Sequence, residues 1–256
     1  MAIFNQVLDR TIEDKVFSDL QKTGLACLEN VIDADFLKRA RSEVEHQLEI
    51  RGEKYFSLIQ PWKNREFHVF REIGTDSGFL ELMKNLSRRG HSEEAVEGYE
   101  LYNVLRVIAG PESATKAFQF HYDATVLTVL MPLFIPGGAP AKAGDLVALP
   151  NHRPYRTSSV VNLIEKALLQ NPLANRLYER RYGSGLKDVL KLVPGNLYFF
   201  WGYRTLHGNL PAEANKRRAT LLFHYGDPHK GSMVTKSILK LKWLREKARG
   251  NTFDGA

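Results

Sequence analysis

Three side chains of this sequence have the types and the spacing of a metal-binding set. His121 and Asp123 stand two residues apart, and His207 follows much later in the chain. Residues i and i+2 of a strand project from the same face, so His121 and Asp123 can present two ligands to one ion. Two imidazoles and one carboxylate on one side of a metal form the facial triad that holds non-heme Fe(II). The spacing therefore predicts a metal site.

The surroundings of His121 distinguish it from a second histidine-x-acid motif, His91-Ser-Glu93, which lies in a polar run that predicts a loop. Asp123 instead precedes the apolar, β-branched run 125–135, which is typical of a buried strand. A buried carboxylate beside a buried imidazole needs a partner, because unpaired charge in an apolar setting is costly. The alternative to a metal is a hydrogen-bonded His–Asp pair in the core.

An arginine stands eleven residues after the distal histidine, in a predicted strand. Arg218 and Thr220 share one face of that strand, and Arg217 lies on the other. A guanidinium grips a carboxylate through two parallel hydrogen bonds, so this face predicts a carboxylate receptor. The alternative is a surface charge at a turn, since residues 216–218 form a basic triplet.

The pattern of these residues resembles that of the Fe(II)/2-oxoglutarate-dependent dioxygenases, and most closely the phytanoyl-CoA dioxygenase-like branch. The stretch 20–44 is similar to the opening of that branch, where a helix leads into a short strand and then into a helix capped by Asp33. The resemblance covers roughly residues 15–226. It implies that Fe(II) is the metal, that 2-oxoglutarate and O2 are co-substrates, and that succinate and CO2 are released.

The resemblance also implies roles for single residues. The two histidines and Asp123 would hold Fe(II), and Arg218 would bind 2-oxoglutarate with Thr220 beside it. Iron (+2), Asp123 (−1) and 2-oxoglutarate (−2) sum to −1, and Arg218 brings the sum to zero, which makes burial of the assembly tolerable. Asn103, the polar exception on the apolar face of the predicted strand 99–108, is a further candidate for co-substrate binding. The alternative for Asn103 is a core amide satisfied by the backbone.

The strand-like runs predict a mainly β fold with flanking helices, a double-stranded β-helix of the jelly-roll or cupin-like kind, in one domain over 1–256. These runs are 99–108, 117–123, 125–134, 144–149, 189–193, 196–201, 204–208 and 217–225. The segment 151–185 departs from the family pattern, with a helix-like run over 161–170 and a basic patch over 176–181. We expect it to form a lid-like insertion.

Composition agrees with one enzyme domain: the chain has 256 residues, of which 43% are hydrophobic. The single Cys27 allows no internal disulfide, and no signal peptide or membrane-spanning run is visible, so we expect a cytoplasmic protein. Much of the net charge of +7 comes from a basic amphipathic helix predicted around 232–248. Either it packs its apolar stripe on the core, or it contacts an acidic substrate, a membrane surface or nucleic acid.

We therefore expect hydroxylation of an unactivated C–H bond in a small anionic or zwitterionic molecule. A halogenase of this fold would lack the carboxylate ligand, and Asp123 argues against it. The nucleic-acid demethylases typically carry a second arginine six residues after the first, where this chain has His224; nucleic acid is not the expected substrate. A nucleic-acid or protein demethylase and a non-catalytic jelly-roll binding protein stay as alternatives. The sequence leaves the substrate and the oligomeric state open.

Overall fold

The computed structural model describes residues 2–111, 117, 119–137, 143–155, 171–182, 188–229 and 244. Within these ranges lie five α-helices, one short 3-10 helix and nine strands. The helices hold more of the described residues than the strands do, so the fold is mixed α/β with antiparallel sheets and not mainly β. The prediction was wrong on this point because four helices fill most of the first ninety residues.

The N-terminal part begins with a helix, a strand and a second helix in the predicted order. Its elements are α1 (Arg10–Thr23), β1 (Leu25–Leu28), α2 (Ala34–Arg51), β2 (Phe56–Ile59), the 3-10 helix (Pro61–Lys63), α3 (His68–Thr75) and α4 (Ser77–Gly90). Asp33 accepts hydrogen bonds from the backbone N–H groups of Asp35 and Phe36. These hydrogen bonds confirm the predicted cap of α2. A carboxylate at this position satisfies backbone donors that the first turn of a helix leaves unpaired.

The C-terminal part is mostly strand. Its elements are β3 (Tyr102–Ile108), β4 (Leu127–Phe134), β5 (Leu146–Leu149), α5 (Pro172–Tyr182), β6 (Val189–Leu190), β7 (Leu197–Trp201), β8 (Leu206–Asn209) and β9 (Arg218–Tyr225). Each of these strands overlaps a predicted run. The predicted strand over 117–123 was wrong for its described residues, among which His121 alone makes an isolated bridge.

The strands form two antiparallel sheets. The larger has the order β1-β7-β4-β9-β3-β2, and the smaller has the order β6-β5-β8. One face of the larger sheet packs on the helices through apolar side chains that include Val129, Leu221 and Phe223. Its other face meets the smaller sheet through a second apolar cluster that includes Leu130 and Leu146. The space between the sheets is therefore lined by alternate residues of each strand.

The register decides which side chains reach this inner face. Across β9 and β3, the inner pairs are Arg218 with Ile108, Thr220 with Arg106, Leu222 with Val104 and His224 with Tyr102. The outer pairs, which face the helices, are Ala219 with Val107, Leu221 with Leu105 and Phe223 with Asn103. The predicted sharing of one face by Arg218 and Thr220 is confirmed.

Two predicted features lie outside the residues that the structure describes: the helix-like run 161–170 and, apart from Leu244, the basic helix around 232–248. The basic patch 176–181 lies on α5. Among the described residues, no helix combines the length and the apolar character needed to cross a bilayer.

The cap of α2 gives a test of the fold. Replacing Asp33 by Ala should lower the free energy of unfolding by about 1 kcal/mol, because two backbone donors lose their acceptor. Asp33→Asn is the matched control and should stay within about 0.5 kcal/mol of the unaltered protein, because Asn caps nearly as well. Urea unfolding followed by circular dichroism measures both. Equal losses in the two variants would contradict the capping role.

Candidate active site

The two parts of the predicted metal site meet through the main chain. His121 and His207 form an isolated antiparallel bridge, with N–H to O=C distances of 2.9 and 3.0 Å. The N–H of Asp123 donates to the carbonyl of Gly202 at 3.0 Å. Residues about eighty positions apart in the sequence are thus fixed side by side by three backbone hydrogen bonds.

This arrangement gathers the three predicted ligands. Donor atoms of His121, Asp123 and His207 all lie within 4.8 Å of one another. The Nε2 atom of His121 is 3.7 Å from Oδ1 of Asp123, and that of His207 is 3.6 Å from Oδ2. Two nitrogens and one carboxylate oxygen converging in this way could hold one metal ion as a facial triad.

Both imidazoles are oriented by a backbone carbonyl two residues earlier in the chain. Nδ1 of His121 lies 2.9 Å from the carbonyl oxygen of Gln119, and Nδ1 of His207 lies 3.1 Å from that of Thr205. A carbonyl can only accept, so each Nδ1 carries the proton and each Nε2 presents a lone pair to the cluster. Burial and the neighbouring His207 lower the pKa of His121, which keeps its imidazole neutral and ready to bind a cation.

Asp123 is held by a short chain of hydrogen bonds. The hydroxyl of Thr128 donates to Oδ2 of Asp123 at 2.5 Å, and Nδ1 of His224 lies 3.2 Å from the same hydroxyl oxygen. Because Thr128 has one proton to give, His224 must donate to it. Burial opposes ionisation of Asp123, but three imidazoles and the Thr128 hydroxyl outweigh it, so its pKa lies below the usual range. The carboxylate is charged, and Oδ1 is the oxygen left for a metal.

Gly202, directly after β7, comes close to two side chains of this site. A Cβ on Gly202 would lie 2.4 Å from Oγ1 of Thr128 and 3.0 Å from Cβ of Asp123. Any side chain at this position would therefore disturb the hydrogen bond between them. No pattern in the sequence indicates the roles of Thr128 and His224, because their contact depends on the register between β4 and β9.

Arg218 reaches the space between the sheets from β9 and is buried, with 2% of its surface exposed. Its Nε donates to the carbonyl of Gly144 at 2.6 Å, and its Nη1 lies 3.5 Å from Oγ1 of Thr220. Among the described residues, it has no carboxylate within 4.0 Å. Burial and repulsion from Arg106, opposed by Asp145, lower the pKa of Arg218 to about 9, so it stays charged at neutral pH. A buried guanidinium without an ionic partner suits a ligand that brings a carboxylate.

Asn103, a site candidate from the sequence, and His91, which the sequence places in a loop, both lie outside this cluster. Asn103 is buried on the face of β3 that packs on the helices, opposite Phe223, and its side-chain amide has no hydrogen-bond partner among the described residues. The alternation of the strand thus turns it away from Arg218, and the expectation that it binds the co-substrate is corrected. His91 ends α4 with its ring edge-on to Tyr155, 4.6 Å away, and is no part of the metal-binding cluster.

A stack of side chains supports the segment that carries the ligands. The guanidinium of Arg153 lies 3.8 Å from the ring centre of Tyr122 and 4.2 Å from that of Tyr203. Its Nε also donates to the carbonyl of Tyr203 at 2.7 Å. Tyr122 stands between the two ligands of the His-x-Asp motif, so the stack ties this motif to the turn after β7. No pattern in the sequence indicates this contact.

No protein-family model matches this chain, and no curated protein is similar to it in sequence. Solved structures do match. The non-heme alpha-ketoglutarate-dependent carbocyclase SnoK from nogalamycin biosynthesis is 15% identical, with a TM-score of 0.57 over 87% of this chain and 89% of its own. A Pseudomonas putida prolyl-4-hydroxylase is 13% identical, with a TM-score of 0.52 over 89% and 99%. A Trichoplax adhaerens prolyl hydroxylase, in complex with a hypoxia inducible factor peptide fragment, is 14% identical, with a TM-score of 0.53 over 85% and 90%.

These matches show the fold, which is that of the double-stranded β-helix oxygenases that use 2-oxoglutarate. At such low identity they do not distinguish the phytanoyl-CoA dioxygenase-like branch from others. The fold and the His121, Asp123, His207 triad together support a 2-oxoglutarate-dependent oxygenase.

The hydrogen bond from Thr128 to Asp123 can be tested without turnover. Thr128→Val should weaken Fe(II) binding by about tenfold to a hundredfold, the usual effect of removing a group that orients a metal ligand. Thr128→Ser should keep most of the affinity, because it keeps the hydroxyl. Anaerobic equilibrium titration with Fe(II) measures both.

Thr125→Val is the matched control, since the Thr125 hydroxyl lies 3.5 Å from Nδ1 of His224 but makes no hydrogen bond to Asp123. It should leave Fe(II) binding nearly unchanged. An equal loss of affinity at both threonines would mean that packing, and not the orientation of Asp123, accounts for the effect.

Proposed function

We propose that this protein is an Fe(II)/2-oxoglutarate-dependent oxygenase that hydroxylates an unactivated C–H bond of a small anionic or zwitterionic molecule. The observation that carries the proposal is the convergence, between two sheets, of a facial triad and a buried arginine without an ionic partner. Metal site and carboxylate receptor face the same interior space. The shared fold of 2-oxoglutarate-dependent enzymes supports this assignment.

In this proposal, His121 and His207 each give one Nε2 to Fe(II), and Asp123 gives Oδ1. When bound, iron and 2-oxoglutarate supply the oxidising chemistry that the side chains themselves lack. The protein contributes the geometry: two carbonyls fix the histidine rings, and Thr128 fixes the carboxylate. One oxygen of Asp123 is engaged by Thr128, which favours attachment of the carboxylate through a single oxygen. These three side chains would hold the metal, and the co-substrates would bind to it beside them.

Arg218 would bind the carboxylate of 2-oxoglutarate that lies away from the metal. Its Nε is already used by Gly144, so the two terminal nitrogens are the donors left for a bidentate contact. Thr220, beside Nη1, can add a hydroxyl to the same carboxylate. The metal, Asp123 and the co-substrate would together carry a net negative charge. The guanidinium would neutralise it, which lowers the cost of burying the assembly.

The route for the substrate would pass beside His121. The His121 side chain is 38% exposed, whereas those of Asp123 and His207 are 11% and 7% exposed. Phe120, just before His121, packs against Tyr178 of α5 at a ring distance of 4.8 Å. That contact supports the proposal that α5, in the described part of the insertion 151–185, covers the site and limits the access of water.

The alternatives within this fold are less well supported. The presence of Asp123 in the cluster disfavours a halogenase. His224, which stands where a nucleic-acid demethylase would have its second arginine, is engaged with Thr128 behind Asp123. The order α1, β1, α2 with its cap at Asp33 supports the phytanoyl-CoA dioxygenase-like branch. Succinate formation distinguishes an oxygenase from a non-catalytic binding protein.

The triad can be tested directly. Adding 2-oxoglutarate to the Fe(II)-loaded protein without oxygen should produce a weak visible charge-transfer band. His207→Ala should abolish the band while circular dichroism shows an intact fold. If single alanine replacements of His121, Asp123 and His207 all leave the band unchanged, the metal assignment fails.

The co-substrate receptor can be tested with neighbouring arginines. Arg218→Ala should raise the apparent KM for 2-oxoglutarate at least about tenfold, which requires only about 1.4 kcal/mol. Arg218→Lys should rescue it only in part, because an ammonium cannot reproduce the planar fork. Initial rates of succinate formation measure the change.

Arg217→Ala is the control for the loss of one positive charge. Arg217 is exposed and its guanidinium pairs with Glu53, away from the interior. Its replacement should leave the KM for 2-oxoglutarate nearly unchanged. Equal effects at both arginines would point to a general charge effect and against a specific receptor.

A further inference from the structure

A second arginine faces the interior near the triad. Arg106 lies on β3 at the register position opposite Thr220, one strand further from β4 than Arg218 is. Across the sheet in the other direction, its register partner is Ser57 of β2. The inner face of the large sheet therefore carries polar side chains on the four neighbouring strands β4, β9, β3 and β2. Arg218 and Arg106 are the two guanidinium groups among them.

Within the described part of the chain, Arg106 has no protein anion as a partner. Among the described residues, it makes no ion pair and no side-chain hydrogen bond, and its Nε is buried without a partner. Its guanidinium lies 5.7 Å from the ring centre of Tyr55, whose hydroxyl is 3.1 Å from Oγ of Ser57. An arginine held against an aromatic ring, beside two hydroxyl groups, is suited to receive an oxyanion.

The charge of Arg106 acts on both Arg218 and the metal-binding cluster. Its positive charge lowers the pKa of Arg218 and that of His121, after the larger effects of burial. Two like charges facing one interior space repel each other, so the arrangement is costly unless anions are bound there. Asp145, which acts on Arg218, accepts the N–H of Leu192 at 3.0 Å and forms an ion pair with neither arginine.

The co-substrate does not supply the missing anion. In the proposed function, one carboxylate of 2-oxoglutarate binds the metal and the other binds Arg218, and the sum of charges with Fe(II), Asp123 and Arg218 is already zero. Arg106 adds one uncompensated positive charge to that assembly. The described residues offer Arg106 no anion, so the molecule to be oxidised is the component of the assembly that can contribute one.

We infer that Arg106 anchors the carboxylate, or an equivalent oxyanion, of the substrate, with the hydroxyls of Ser57 and Tyr55 beside it. This inference rests on the proposed function and names its substrate class: a small organic acid held by Arg106 while its reacting carbon faces the triad. Arg106 is then a specificity-determining residue that discriminates an acid from its neutral analogue.

The test uses the full chain, loaded anaerobically with Fe(II) and 2-oxoglutarate so that the co-substrate receptor is filled. Two matched pairs of probes are benzoate with benzamide and hexanoate with hexanamide. Equilibrium dialysis should show each carboxylate binding at least about tenfold more tightly than its amide. Arg106→Gln should remove this preference, and Arg106→Lys should keep part of it, because lysine keeps the charge and loses the fork.

Arg217→Gln is the matched control, because it removes the same charge from the exposed side of the protein. It should keep the preference for the carboxylates. Arg106→Met, which keeps an unbranched side chain among its neighbours, is the second variant if the amide substitution impairs folding. It should also lose the preference. The affinity for 2-oxoglutarate, measured in the same variants from the charge-transfer band, should change by less than about twofold.

Each other outcome has a distinct meaning. If the unaltered protein binds acids and amides equally, or if Arg106→Gln keeps the preference, the inference is overturned and the proposed function stands. If Arg106→Gln weakens 2-oxoglutarate instead, the arginine serves the co-substrate and the substrate role is wrong. If the unaltered protein gives no band with Fe(II) and 2-oxoglutarate, the proposed function fails and takes this inference with it.

Discussion

Two backbone hydrogen bonds between His121 and His207 set the geometry on which the rest of the site depends. The described residues around His121 form no regular strand; the bridge joins them to β8 of the smaller sheet, and the bond from Asp123 to Gly202 joins them to the end of β7. Each histidine ring then donates to the carbonyl two residues before it. The same local arrangement at both positions directs the two imidazoles toward one cluster of donor atoms, with their ring centres 4.4 Å apart.

The two faces of the large sheet differ in polarity. Toward the helices its side chains are almost entirely apolar, with Asn103 as the polar exception. Toward the smaller sheet it presents Thr128, His224, Arg218 and Arg106 on successive strands. Groups of this kind cost free energy when buried, so they persist only where they satisfy one another or a ligand. The Thr128 hydroxyl donates to Asp123, and His224 donates to Thr128. Arg218 and Arg106 have no ionic partner among the described residues, and in our proposals they bind the co-substrate and the substrate.

The sequence was most informative where a pattern had one structural solution. The apolar run of β4, the alternation of β9 and the cap of α2 all lie close to their predicted positions, because local preferences and burial agree there. Asn103 was misjudged because the periodicity of β3 identifies its buried face but cannot tell whether that face meets the helices or the site. The roles of Thr128 and Arg106 could not be predicted, since they arise from strand pairing between residues far apart in the chain.

The contact of Arg218 with Gly144 has a consequence for the thermodynamics of ligand binding. Gly144 has a φ of +71°, and a Cβ there would lie 2.6 Å from Cδ of Arg218, so the arginine passes through a gap that only glycine leaves open. The carbonyl of Gly144 then fixes the Nε end of the guanidinium. An arginine side chain carries about 2 kcal/mol of rotamer entropy. Much of that ordering cost is met when the chain folds, so under the proposed function a carboxylate that binds Arg218 meets a side chain that is already ordered.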